Sequence, residues 1–364
     1  MIVLAAHTGA GFIAQRNRDR HVKLLKTALK EGVRVYLANG CLQEAISQIV
    51  SVLENDSVTN AGHGGNLTET GKRENEAGLS FTKRIGGVEE RGHGAVSGLN
   101  NVLNPIQVAK KIAELQSRFN TSPTDRGKDK QGRIPPILIS GPGAEQFAKN
   151  NNISYREDLP IAEKALKVFK KYSKVLKRAA EKTNGPPEKI QKSCDTVGAV
   201  AMKIEKNDNN EEYSSDSVAA SSSGGFVVKR NGRVGSAAHL GAGFWSQEDS
   251  CTTCSGCGEE LIIHNTARLA CSEEFLFDSH SIASNFPSSS NTGIELGFLK
   301  LLNDGRGGIE LQYLHTTSDF MIGYVFLNPN LSDPDTLAYN CHHSENPKVG
   351  NSQYSSFRFS YSQD

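Results

Sequence analysis

With 364 residues the chain is long enough for one large domain or two average ones, with a substantial core. Lysine and arginine (41) nearly cancel aspartate and glutamate (40), and a net charge of +1 removes any whole-molecule electrostatic argument for a nucleic-acid or membrane partner. No apolar run reaches the roughly 18 residues a membrane span needs, and seven cysteines without a secretory leader point to a soluble protein of a reducing, intracellular compartment.

The opening apolar residues, Met1 to Ala6, read as a first strand that runs into the glycine turn His7-Thr8-Gly9-Ala10-Gly11. Residues 18–31 have helical spacing, with Val22, Leu25 and Leu29 on one face and Gly32 as the stop. A second helix is expected over 38–53, carrying Leu42, Ala45, Ile46, Ile49 and Val50. Residues 53–66 form a glycine- and asparagine-rich loop of the kind that brings polar groups close to a ligand, though many such loops are simple turns. Residues 76–96 read as strands with glycine breaks, and Asn104-Pro105-Ile106 opens a helix containing Val108, Ile112 and Leu115. A polar surface excursion over 117–133 precedes a buried-strand candidate at 134–139.

Residues 161–181 form an amphipathic basic helix. Ala165, Val168, Phe169, Tyr172, Leu176 and Ala179 make its apolar side. Its lysine face is an ordinary solvated surface or a nuclear-import patch around Lys170, Lys171, Lys174, Lys177 and Arg178. Beyond it lies the stretch around which the chain is organised, Cys194-Asp195-Thr196-Val197-Gly198-Ala199-Val200. Residues 197–204 read as a strand, 206–216 as a polar hairpin tip and 218–225 as a small-residue strand ending in a glycine pair. Helices are expected over 259–270 and 290–303, and strands over 309–314 and 320–327. Helices and strands in both halves indicate an α+β fold built as a layered sandwich.

Asp195-Thr196-Val197 can be an ordinary turn-to-strand junction. It also sets a hydroxyl beside a peptide bond. If that bond breaks, Thr196 becomes an N-terminus holding a nucleophile and, in its α-amine, a base that titrates near pH 8. Four elements can converge on it. Ser222-Ser223-Gly224-Gly225 offers hydroxyls and flexible backbone, and Asn60 offers an amide. Arg233, flanked by Gly232 and Gly235, can hold a carboxylate through two parallel hydrogen bonds. Ser255-Gly256-Cys257-Gly258-Glu259 places a hydroxyl and backbone N–H groups at a helix start, which suits an oxyanion. Cys251, Cys254 and Cys257 have a metal-like spacing, but a structural zinc needs a fourth ligand, and only Cys341-His342-His343 far along the chain offers one. The alternative is unligated cysteines.

Together, His7 to Gly11, Thr59-Asn60-Ala61-Gly62, Gly94-Ala95-Val96 with Asn104-Pro105-Ile106, Asp195 to Val200, Ser223-Gly224-Gly225, Gly232-Arg233-Val234-Gly235 and Ser255 to Glu259 resemble the type 2 asparaginase family of N-terminal-nucleophile hydrolases. Within it, they are most similar to the threonine aspartase (taspase) branch. The resemblance covers nearly the whole chain. It implies an αββα four-layer sandwich made as a proenzyme that cuts itself before Thr196, giving an α subunit (1–195) and a β subunit (196–364), two such units pairing into an (αβ)2 assembly. It implies Thr196 as nucleophile, Ser223 as a second hydroxyl bonded to it, and Asn60 as an amide nearby. It assigns Ser255 and Gly256 as oxyanion donors, with Arg233 and Gly258 on the substrate side. A structural sodium is implied on the loop carbonyls of Leu53, Glu54, Asp56 and Thr59, and no other cofactor.

Asparaginase-like members carry an acidic residue after the Arg-Val-Gly element, where it holds a free amino acid's α-ammonium. Here that position is Ser236. A substrate inside a polypeptide has a neutral amide there, and a carboxylate would be buried without its partner. The expected activity is therefore endoproteolysis after aspartate, in keeping with Asp195 at the chain's own cut. The resemblance extends to nuclear substrates, such as the mixed-lineage leukaemia protein and transcription factor IIA, and to a nuclear and cytoplasmic location. An isoaspartyl peptidase or L-asparaginase is the alternative, and a zinc-binding nuclear module using Cys251, Cys254, Cys257 and His342 a distant one.

Overall fold

The apolar runs of the chain are continuous rather than alternating because its main sheet is covered on both faces. The computed structural model describes residues 1–85, 87–121, 132–181, 195–206, 213–272, 294–328, 333–346 and 352–360. An N-terminal strand β1 (Ile2–Gly11) precedes α1 (Gln15–Asn39) and α2 (Leu42–Asn55). The hairpin β2 (Asn75–Ile85) and β3 (Val88–Leu99) follows, then α3 (Pro105–Thr121), β4 (Leu138–Ser140), α4 (Gly141–Asn150) and α5 (Glu163–Glu181). The second half holds β5 (Val197–Lys206), β6 (Tyr213–Ser223), β7 (Phe244–Gln247), β8 (Ser250–Gly256), α6 (Gly258–His264) and α7 (Thr266–Ala270). It closes with β9 (Leu296–Asn303), β10 (Gly308–His315), β11 (Asp319–Leu327), β12 (Asn340–Glu345) and β13 (Gln353–Ser360).

Eight strands pair in the order β12-β11-β1-β5-β6-β2-β3-β4, and five in the order β13-β10-β9-β8-β7. The period-two geometry of a strand divides the core. Ile2, Leu4 and Ala6 of β1, with Val197, Ala199 and Ala201 of β5, face α1, α2 and α3 through Leu25, Leu29, Ile46, Ile49, Ile112 and Ala113. The intervening Val3 and Ala5, with Val200, Met202 and Ile204, face Leu299, Leu301, Ile309 and Leu311 of the second sheet. Leu261 and Ala267 of α6 and α7 cover that sheet's outer side over Cys254, Leu296 and Phe298. The result is the expected αββα sandwich of an α+β fold.

Several expectations are corrected. Gly32 does not stop α1. It lies inside the helix because α2 crosses there, and a Cβ would come 2.4 Å from Ile49 Cγ1. The stop is Gly40, left-handed at φ 68°, whose N–H donates to the Tyr36 carbonyl. The second helix accordingly starts at Leu42 rather than 38. The expected buried strand at 134–139 is an exposed approach to the short edge strand β4, with Ile134 70% exposed. The helix expected over 259–270 is two helices, broken at the left-handed Asn265 (φ 49°). The expected helix at 290–303 is strand β9 over its last eight residues. Most of the proposed hairpin tip at 206–216 falls outside the described residues.

Candidate active site

Thr196 stands immediately before β5, and Ser223 ends the neighbouring strand β6; Val197 pairs with Ser222 across the ladder. That register brings the two hydroxyls together. Thr196 Oγ1 donates to Ser223 Oγ at 3.1 Å, and Ser223 Oγ also accepts from the Gly225 N–H at 3.0 Å. Thr196 is 6% exposed and lines the adjoining cleft. Asn60, Glu76, Ser223, Gly225, Phe226, Arg233, Ser236, Gly256 and Gly258 line that cleft with it. On the other side of the junction, the Asp195 backbone rests on the turn ending β1: a Cβ on Gly9, which has φ +116°, would lie 2.5 Å from Asp195 Cα.

The Asn60 amide fastens the turn behind Ser223. Its Nδ2 donates to the Gly225 carbonyl at 2.9 Å, its Oδ1 accepts from the Asn66 N–H at 2.8 Å, and its own carbonyl accepts from the Gly224 N–H. Asn66 Nδ2 donates to the same Gly225 carbonyl at 2.9 Å. Asn66 was not singled out from the sequence, where it is one more polar residue of a polar loop.

Arg233 lies across the cleft with its planar face over the Phe226 ring, 4.3 Å from the centroid. Its Nε and Nη2 donate to the two carboxylate oxygens of Glu259, each at 3.0 Å. Two glycines make room for the guanidinium: a Cβ on Gly235 would sit 2.3 Å from Nη1, and one on Gly258 2.6 Å from Nη2. The pairing with Glu259 uses Nε and Nη2, and Nη1 lies on the side of Gly225 and Gly235. Ser236, 4% exposed, lines the cleft as expected. Beside it stands Glu76 of β2, whose Oε2 accepts from the Gly235 N–H at 2.6 Å. No sequence signal marked Glu76; the pairing of β2 with β6 puts it there.

One expected site residue is displaced. Ser255 is fully buried on β8, and its Oγ accepts from the Ala10 N–H at 3.0 Å, so its hydroxyl ties the second sheet to β1 and is not among the cleft residues. Of the two expected oxyanion donors only Gly256 reaches the cleft. Beneath Thr196, His7 of β1 is wholly buried with Nε2 3.4 Å from Thr253 Oγ1. Burial pushes its pKa down to about 3 against the pull of the Thr196 backbone, which makes it a neutral imidazole.

In the loop after α2, the Thr59 hydroxyl donates to the carbonyls of Leu53 (2.8 Å) and Asp56 (3.0 Å). The Glu54 side chain turns away into the core, so only its carbonyl is available to the loop. Neutral backbone carbonyls are the donor class a hard monovalent cation takes, and of these the Asp56 carbonyl already accepts from both the N–H and the hydroxyl of Thr59. The zinc reading fails. Three residues apart on β8, Cys251 and Cys254 point to opposite faces, into different core clusters, and burial pushes both thiols up. Among the described residues the one group with metal-like spacing is Asp319, His343 and Glu345, where Arg18 bridges the two carboxylates.

The asparaginase family model matches residues 1–122 and 132–292. A plant-type L-asparaginase of Pyrococcus horikoshii is 31% identical over 273 residues, 72% of this chain and 76% of the relative. One from Pyrococcus abyssi is 28% identical over 354 residues, 92% of this chain and 99% of the relative. An isoaspartyl peptidase/L-asparaginase of Mus musculus is 29% identical over 273 residues, 74% and 71%. These matches run through the strands and loops that build the cleft, and the chain belongs to the type 2 asparaginase family of N-terminal-nucleophile hydrolases.

Proposed function

We propose that the chain is a proenzyme that cuts its own Asp195–Thr196 bond and then acts as a threonine endopeptidase on peptides with aspartate on the acyl side. The observation that carries this reading is the Thr196 hydroxyl held by Ser223 at the mouth of a cleft that Arg233 closes. In the first step Thr196 Oγ attacks the Asp195 carbonyl carbon, the C–N bond breaks as the C–O bond forms, the hydroxyl proton passes to the departing Thr196 nitrogen, and water hydrolyses the ester to free residues 1–195 from 196–364. In turnover the new α-amine takes the hydroxyl proton and returns it to the leaving amine, while Ser223 fixes the Oγ and the oxyanion settles on the Gly256 side of the cleft. Arg233 reads the substrate carboxylate through Nη1. A sodium on the loop carbonyls of Leu53, Glu54, Asp56 and Thr59, an (αβ)2 pairing, nuclear protein substrates and import through the basic face of α5 belong to the same reading.

The second reading is an isoaspartyl peptidase or L-asparaginase. The names of the relatives favour it, and so does a specific feature: the Glu76 carboxylate in the cleft offers an α-ammonium a partner. The endopeptidase is supported by Ser236 where an acid would otherwise stand, and by an aspartate before the cut. Intact mass spectrometry of wild type beside Thr196→Ala tests the shared premise, with two fragments expected from wild type alone. Rates on Asp-containing peptides against free asparagine and β-aspartyl dipeptides then decide between the two. Hydrolysis of the small substrates only would overturn the endopeptidase.

A further inference from the structure

Arg233 carries one positive charge, and Glu259 already pairs with it through Nε and Nη2. Glu76 adds a carboxylate to the same cleft, and Glu74 fastens the loop from outside it, its Oε2 accepting from the Gly232 N–H at 2.7 Å. A substrate carboxylate approaching Nη1 would therefore meet a guanidinium whose charge is balanced, with Glu76 close by. Preferring an acid to its amide in such a place takes a further cation.

The fold supplies one just before the Arg233 loop. Lys229 is 5% exposed. One of its three N–H donors goes to the Glu74 carbonyl at 2.6 Å, and among the described residues no carboxylate stands at ion-pair distance from it. A Cβ on Gly225 (φ +73°) would lie 3.0 Å from Arg233 Nη1 and 3.1 Å from Lys229 Nζ, so the bare glycine lets the two cations flank the turn within about 6 Å of each other. Gly225 lines the cleft, and Lys229 stands behind it. Val228, β-branched yet left-handed at φ 51°, makes the bend that sets Phe226 against the guanidinium and Lys229 against Gly225. An ammonium buried without a counter-charge is costly, and an incoming carboxylate is the counter-charge it lacks.

We propose that Lys229 is a second specificity-determining cation, which acts across Gly225 to supply the positive charge that Glu259 cancels on Arg233. Arg233 orients the substrate carboxylate by hydrogen bonding, and Lys229, without touching it, makes the pocket favour the acid over the isosteric amide. The inference rests on the proposed endopeptidase and goes beyond it, because it divides the reading of aspartate between a cation that orients and a buried one that attracts.

The test measures kcat/KM at pH 7 on two peptides that differ only in Asp or Asn on the acyl side of the cut, per molecule of processed enzyme counted by mass spectrometry. Lys229→Gln keeps a donor for the Glu74 carbonyl but not the charge, and is expected to lower the Asp-over-Asn preference about tenfold with the Asn peptide little affected. Lys229→Met is expected to lower the preference to the same degree. Glu259→Gln, at an exposed position, frees the guanidinium charge. It is expected to raise the preference about threefold even as it slows both peptides, and to restore part of it when added to Lys229→Gln. Melting curves of the Lys229 variants in the Thr196→Ala chain separate misfolding from lost charge. A wild-type preference in Lys229→Gln, both peptides slowed alike by Lys229→Met, or no rise with Glu259→Gln overturns this inference while leaving the proposed function standing. A wild type without preference for the Asp peptide overturns both.

Discussion

The guanidinium of Arg233 and the carboxylate of Glu259 form a two-pronged ion pair, Nε to Oε1 and Nη2 to Oε2 at 3.0 Å each, with Phe226 beneath. A bidentate pair fixes the plane of the arginine as well as its charge. Glu259→Gln is therefore expected to raise KM about tenfold with kcat largely kept, since the cation remains but its orientation loosens. Arg233→Lys, which loses the fork, should cost about a hundredfold in kcat/KM, or about 3 kcal/mol. Steady-state kinetics on an Asp-containing peptide reads both.

Ser236 separates the two functional readings at a single position. Ser236→Asp puts a second carboxylate beside Glu76 in a buried wall of the cleft. A peptide substrate brings no cation to pair with it, so cutting of Asp-containing peptides is expected to fall at least about tenfold. Hydrolysis of free asparagine, whose α-ammonium supplies the missing partner, is expected to rise. Parallel assays on the two substrates check the pair of signs.

Glu54 predicts how stability follows pH. Its carboxyl is wholly buried, accepting from Ser222 Oγ (2.6 Å), the Ile106 N–H (3.1 Å) and Asn104 Nδ2 (3.1 Å). Burial pushes its pKa up to about 8 from the ordinary 4.5, more than these hydrogen bonds lower it. Because the folded value is the higher one, the stability it contributes is complete below the ordinary glutamate range and is lost as pH rises through about 8. Each unit of that difference is worth about 1.4 kcal/mol, so the wild type should lose a few kcal/mol between about pH 5 and pH 9 relative to Glu54→Gln. Urea midpoints across that range, taken in the Thr196→Ala chain, measure it.

Gly9 and Gly40 form a matched pair for testing the approach to Asp195. Both have positive φ, +116° and +68°, but a Cβ on Gly9 strikes Asp195 whereas one on Gly40 meets nothing within 4 Å. Alanine at either site should cost about 1 kcal/mol of stability from backbone strain. Gly9→Ala alone is expected to slow self-cleavage, by about tenfold or more, as read by the appearance of the two fragments.

Much of this was legible in one dimension. Thr196 before an apolar, β-branched run announces a strand with a hydroxyl at its head, and the glycines around Arg233 announce a side chain that needs space. What stayed hidden depends on neighbours far along the chain. Gly32 looks like a stop until Ile49 is seen pressing on it. Leu296 to Leu302 read as a helix because a strand buried on both faces has no period of two to show. Ser255 carries the right chemistry for an oxyanion site, yet its hydroxyl is already engaged by Ala10. Glu76 sits in unremarked local sequence and reaches the cleft only through the sheet order, while Glu259 reads as the end of a helix-start motif and its pairing with Arg233 shows only in the fold.

The strand order has a last consequence. Across the large sheet, strands from before residue 195 and from after it interleave: β1 lies between β11 and β5, and β2 lies beside β6. A cut before Thr196 severs no ladder, so the two pieces stay woven together as one folded body. Once pulled apart, however, they no longer share a backbone to return along. Refolding changes from a unimolecular search into an encounter between two chains, whose yield depends on concentration. Maturation would thus turn a protein that recovers from unfolding into one that persists only as long as its unfolding barrier lasts.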